Sequence, residues 1–213
     1  MSFKAIVPNE TGLLFFDFLN AYFRGSNEET QRRMEPVVAN CQLLREAVDK
    51  AGIPVFHAKA DHRTDGLDAA RLYSDTDMRL EPWGDPERER FDARHTVAGN
   101  SWTGDIIDEL APVDGDYVIP KHRWSAFFQT KLELSLRARG INTLILCGGA
   151  LEIGIVATSF AARDLDLNQV IVRDACKAQQ PDVGGVLLDQ VFPRFARIRS
   201  TEETIEMIHA GAA

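Results

Sequence analysis

Short, wholly apolar runs alternate along this chain with stretches in which apolar residues recur every three or four positions. These are the patterns of strands buried on both faces and of helices lying on them. Gly12–Phe18 reads as the first strand, and Glu35–Lys50 as a helix with Val37, Cys41, Leu44 and Val48 on one face and Gly52 at its C′ position. Ile53–Ala58 is the second strand, followed by a short helix at Ile106–Leu110, a strand at Tyr117–Pro120 and a helix at Gln129–Arg139. Thr143–Cys147 then reads as a covered strand that breaks through a glycine-rich turn into a helix with Ile153, Val156 and Phe160 on one face. A strand at Gln169–Arg173, a helix at Asp182–Gln190, an edge strand at Ala196–Arg199 and a terminal helix at Thr201–His209, capped by Thr201, complete the series. The alternation predicts an α/β fold: a three-layer αβα sandwich around a mainly parallel six-stranded sheet, with residues 1–213 as one domain. Residues 70–102 depart from it. Tyr73, Pro82, Trp83 and Pro86 stand there among many charges, as in a long connection carrying specificity or an oligomer contact.

Composition narrows the function classes. The chain has 213 residues, 45% of them hydrophobic, enough for a full core. Its net charge is −8 without a lysine- or arginine-rich block, so nucleic acid and anionic membranes are not the expected partners, and a small molecule is. The N-terminal segment has no signal-peptide pattern and no apolar run approaches the ~20 residues of a membrane span, which predicts a cytoplasmic protein. Cys41, Cys147 and Cys176 are odd in number and widely spaced, so neither a disulfide framework nor a zinc ribbon is expected. Asp61 and His62 sit in a polar loop without a second histidine at ligand spacing; a solvated rim is expected there, with no metal and no cofactor.

The carboxyl ends of the strands carry the candidate chemistry. Asp17 interrupts an apolar run; it is either a turn residue or a buried carboxyl with a raised pKa. Lys121 and Arg123 follow the Tyr117–Pro120 strand: Lys121 bridges a surface acid or pairs with Asp17, and Arg123 suits a substrate carboxylate. The turn at Gly148, Gly149, Ala150 and Leu151 brings backbone N–H groups to the same edge, where an anion or developing oxyanion is favoured. Gly154 is costly in a first helical turn, by roughly 1 kcal/mol relative to alanine, and so signals a close approach or a missing side chain. Glu152 either complements the helix dipole or activates water as a general base. Cys147 is a packing residue or a displaced nucleophile, and Cys176 a packing or turn residue.

Taken together, these landmarks resemble the isochorismatase-like hydrolases, the cysteine-hydrolase superfamily, over about residues 12 to 200. The resemblance rests on Asp17 with Asn20 and Phe23, on the segment from Lys121 to Phe127, and on Gly148 followed by Thr158. It implies an aspartate and a lysine beside a nucleophilic cysteine six residues after that glycine, where this chain has Gly154. Leu19 and Leu151-Glu152 also depart from the usual glutamine and threonine-asparagine. Isochorismatases proper share the glycine and cleave a vinyl ether without a covalent nucleophile. The implied reaction is protonation of an enolpyruvyl carbon by Asp17, oriented by Lys121, with release of pyruvate. Two alternatives stay open: an amide or ureide hydrolase using Glu152-activated water, and a binding protein that has lost catalysis. The resemblance also implies a homodimer or homotetramer.

Overall fold

The computed structural model describes residues 5–24, 28–65, 67–68 and 97–212. Six strands form one sheet in the order β3-β2-β1-β4-β5-β6, with every pairing parallel, where the sequence pattern predicts a mainly parallel one. They are β1 (Thr11–Phe16), β2 (Val55–Ala60), β3 (Tyr117–Lys121), β4 (Thr143–Gly149), β5 (Asn168–Lys177) and β6 (Arg197–Arg199). The chain builds outward from β1 through β2 to β3, returns to place β4 beside β1, and builds outward again. The crevice between β1 and β4 is therefore the switch point of the sheet, where such folds bind ligands.

Residues β1 and β4 are buried along their whole length, which is why their sequences are continuous apolar runs rather than alternating ones. One face packs on α2 (Glu28–Ala51) and α6 (Thr201–Ala212), through Leu13, Phe15, Cys41, Leu44, Val48, Ile145, Cys147 and Ile208. The other packs on α3 (Leu132–Arg137) and α4 (Val156–Asp164), through Leu14, Phe16, Leu132, Leu146, Ile155 and Ala162. α1 is the single turn Asn20–Phe23, and α5 is Pro181–Val186.

Several boundaries differ from the sequence expectation. α2 begins seven residues before Glu35 and carries Pro36 inside it. Ile106–Leu110 is no helix beyond a 3-10 turn at Asp108–Leu110. Phe160 does not face the core: it is 48% exposed, and the buried face of α4 is Thr158, Ser159 and Ala162. The hydroxyl pair Thr158 and Ser159 reads as polar in the sequence but is hydrogen-bonded in place to Ala126 N and Gln169 Oε1. The cap of α6 is Ser200 rather than Thr201, with Ser200 Oγ accepting Glu203 N–H and Glu203 Oε2 accepting Ser200 N–H. Cys176 lies inside β5, opposite Gly148, because β5 runs on to Lys177 past an irregularity in its pairing with β4. Tyr73, Pro82, Trp83 and Pro86 lie outside the described residues.

Candidate functional site

β1 ends at Phe16, and Asp17 turns the chain at φ 52°, a left-handed conformation that aspartate tolerates better than most residues. The turn folds its carboxylate across two neighbouring strands. Asp17 Oδ1 accepts the N–H of Ala60 at 2.8 Å, and Lys121 Nζ donates to Oδ2 at 2.7 Å. Ala60 and Lys121 are register partners at the ends of β2 and β3, so the sheet itself sets the distance between the acid and the ammonium. Both side chains are buried, 9% and 5% exposed for Asp17 and Lys121. Neither is thus a surface residue, and the pairing expected from the sequence is present. Burial raises the Asp17 carboxyl above its ordinary value of 3.8, outweighing the lowering by Lys121, by the Ala60 N–H and by His62. The Lys121 ammonium also rests 4.5 Å from the centre of the Phe16 ring.

The glycine-rich turn lies across the crevice. Gly148 has φ 117°, and a Cβ there would lie 2.2 Å from the carbonyl oxygen of Phe16, so the backbones of β4 and β1 approach too closely for any side chain. The Gly149–Ala150 peptide is cis. Leu151–Ile155 forms a π-helical turn rather than the first turn of the expected α-helix. Its Ile153, Gly154 and Ile155 N–H groups all donate to the Ala150 carbonyl, so those three are not free for an oxyanion. A Cβ built on Gly154 would lie 2.2 Å from Cε1 and 2.5 Å from Cζ of Phe16. Leu151, expected among the substrate-binding residues, is 1% exposed and packs in the sheet–helix layer.

The other candidates take separate places. Glu152 reaches the turn after β5, where its Oε1 accepts the N–H groups of Gln179 and Gln180 at 2.7 Å each, while its Oε2 is buried without a hydrogen-bond partner. Arg123 Nη1 donates to the carbonyls of Asp68 and His122, tying together the two segments that leave β2 and β3. Cys147 is fully buried, and burial, with Cys41 nearby, pushes its thiol well above the ordinary range; this removes it as a displaced nucleophile. Burial likewise pushes Cys176 up.

Sequence reasoning missed Phe16, since nothing in an apolar strand says which ring ends beneath the lysine. It also missed the grouping of His62, Asp68 and His122, whose ligand atoms lie within 4.8 Å of one another among the described residues. Two imidazoles and a carboxylate are a donor set suited to a divalent first-row metal. The signal was partly available: His62 and His122 each follow a neighbouring parallel strand, but their 60-residue separation hides this. Asp61 is not in the group.

The chain is similar to known proteins in sequence and in fold. The Isochorismatase domain family matches residues 11–203. The uncharacterized isochorismatase family protein YwoC of Bacillus subtilis (strain 168) is 38% identical over 104 residues, 49% of this chain and 55% of YwoC, so the match spans about half the length of that relative. Ureidoacrylate amidohydrolase RutB of Pantoea ananatis (strain LMG 20103) is 30% identical over 184 residues, 82% of this chain and 72% of RutB. In fold, the chain is similar to a cysteine hydrolase from Pseudomonas syringae pv. phaseolicola 1448A, with a TM-score of 0.79 at 22% identity over 97% of this chain and 95% of that one.

Proposed function

Because the chain belongs to the isochorismatase family, we propose that it is a hydrolase that cleaves a small molecule without a cysteine nucleophile, using Asp17 as general acid. The observation that carries this reading is the Asp17 carboxyl, buried against Lys121 and the Ala60 N–H and with its pKa raised by burial. A carboxyl raised by burial holds its proton to higher pH than an ordinary carboxyl does, which is what a general acid requires. The best-defined reaction is hydrolysis of the vinyl ether of isochorismate. Asp17 gives its proton to the terminal methylene carbon of the enolpyruvyl group, and the ether carbon becomes an oxocarbenium ion. Water adds to that carbon and returns a proton to Asp17; the hemiketal then breaks its C–O bond to leave pyruvate and a dihydrodiol. Lys121 holds the carboxyl in place. Gly154 stands where the cysteine hydrolases carry their nucleophile, Gly148 to Ala150 form the wall beside it, and the guanidinium of Arg123 meets a substrate carboxylate.

A second reading is amide or ureide hydrolysis by water activated at Glu152. It is supported by the buried, unpartnered Oε2 of Glu152 and by the ureidoacrylate activity in RutB's name.

The test is pyruvate release from isochorismate by wild type and Asp17→Asn. The expected loss in the variant is ~10²–10⁴-fold, the usual contribution of a general acid. No pyruvate from wild type overturns the ether reading. Ureide hydrolysis that disappears in Glu152→Gln then establishes the second, and ligand binding without turnover identifies a binding protein.

A further inference from the structure

Phe16 connects two observations that are otherwise separate. Its ring occupies the volume that any side chain at residue 154 would need: a Cβ there would lie 2.2, 2.5 and 3.2 Å from three of its carbons. The ring is packed in a closed layer, since Phe16 is 1% exposed among Leu146, Ile155 and Ala126. The same ring lies 4.5 Å from the Lys121 ammonium that binds Asp17 at 2.7 Å. An aromatic face attracts a buried ammonium more strongly where water is excluded.

We propose that Phe16 is the residue that fixes this site as non-covalent: it excludes a nucleophile at position 154 and positions Lys121 against Asp17. The site then selects substrates that cleave after proton transfer, such as vinyl ethers, over acyl groups that require attack by a thiol. This rests on the reading of Gly154 as the nucleophile position, and it assigns the missing thiol to two residues acting together, so that restoring the thiol at 154 alone restores nothing.

The first experiment measures thiol reactivity toward a chromogenic disulfide in wild type, Gly154→Cys, and Phe16→Val with Gly154→Cys. The double variant is expected to fold and to gain one fast-reacting thiol per chain over wild type, whereas Gly154→Cys alone gains none or fails to fold. A folded Gly154→Cys protein whose new thiol reacts as fast as that of the double variant overturns the exclusion, and so does a folded double variant with no reactive thiol. The second experiment replaces Phe16 by pentafluorophenylalanine, which keeps the shape of the ring and reverses its charge distribution, and follows the Asp17 carboxyl by carbon NMR across pH. Weakening the hold on Lys121 is expected to move the Asp17 titration further upward. An unchanged titration in a folded protein overturns the positioning role, since packing alone would not sense the ring's electrostatics. Neither readout requires turnover, so both stand or fall independently of pyruvate release.

Discussion

At the scale of single residues, two buried acids with opposite shifts give opposite pH behaviour. Asp17 is raised by burial, so the folded state binds its proton more tightly than the unfolded chain does. Its contribution to stability is complete below the unfolded value of 3.8 and is lost as pH rises through the folded value. As a general acid it gives a kcat/KM that falls on the alkaline side with that same raised value, and an activity that rises with pH through that range would refute the assignment. Asp116 behaves in the reverse sense. Burial alone would raise it, but Arg45, the Val113 N–H and His57 all donate to it and lower it, while His57 is itself lowered by burial. Both groups bind protons more tightly when unfolded. Their stability is in place above the unfolded values and is lost with falling pH, through His57 from 6.5 downward and through Asp116 below 3.8. Asp116→Ala leaves Arg45 and His57 facing a gap. It should cost about 3 kcal/mol in chemical denaturation at neutral pH and remove the steepest part of the acid limb. The Asp17–Lys121 pair was legible in the sequence because a carboxylate ending an apolar strand and a lysine ending another must share the sheet edge. The partners of Glu152 were not, since they are backbone amides, which any sequence supplies.

At the scale of elements, alternation revealed the sheet and most of its helices but not their irregularities. Between Leu146 and Gly148 β4 advances by two positions while β5 advances by five, from Ile171 to Cys176. The strand was expected to end at Arg173 because periodicity carries no mark of inserted residues. That excursion puts Asp174 at the start of α6, where its carboxylate accepts the Thr201 N–H and hydroxyl, while its carbonyl accepts from Asn40 on α2. It also brings Lys177 beside Gly149. The π turn at Leu151–Ile155 was equally hidden, because apolar spacing cannot separate it from the α-helix that continues it. Ser200 was read past in favour of Thr201, one position on, although Ser200 and Glu203 have the spacing of a capping box. Ser200→Ala should destabilise the protein by about 1 kcal/mol in urea unfolding, and an unchanged midpoint would show that Asp174 alone holds the helix start.

At the scale of the molecule, the sheet order gathers the edge residues of β1, β3 and β4 at one switch point, while the described surface keeps large apolar side chains in the open. Leu134 is 72% exposed and Phe128 52%, on and before α3, and Trp102 is 57% exposed. Covering them by another copy of the chain would explain their exposure, and we expect a homodimer or homotetramer by sedimentation equilibrium; a monomer at micromolar concentration would exclude it. The Asp17–Lys121 bond spans 104 residues of chain, and β2 stands between the two strands that supply it. Such a contact forms only after three strands have found one register, so loop closure delays it relative to every local turn and helix. On refolding, helical signal should therefore return before the paired carboxyl does, and an arrested intermediate would have most of its secondary structure and none of its chemistry.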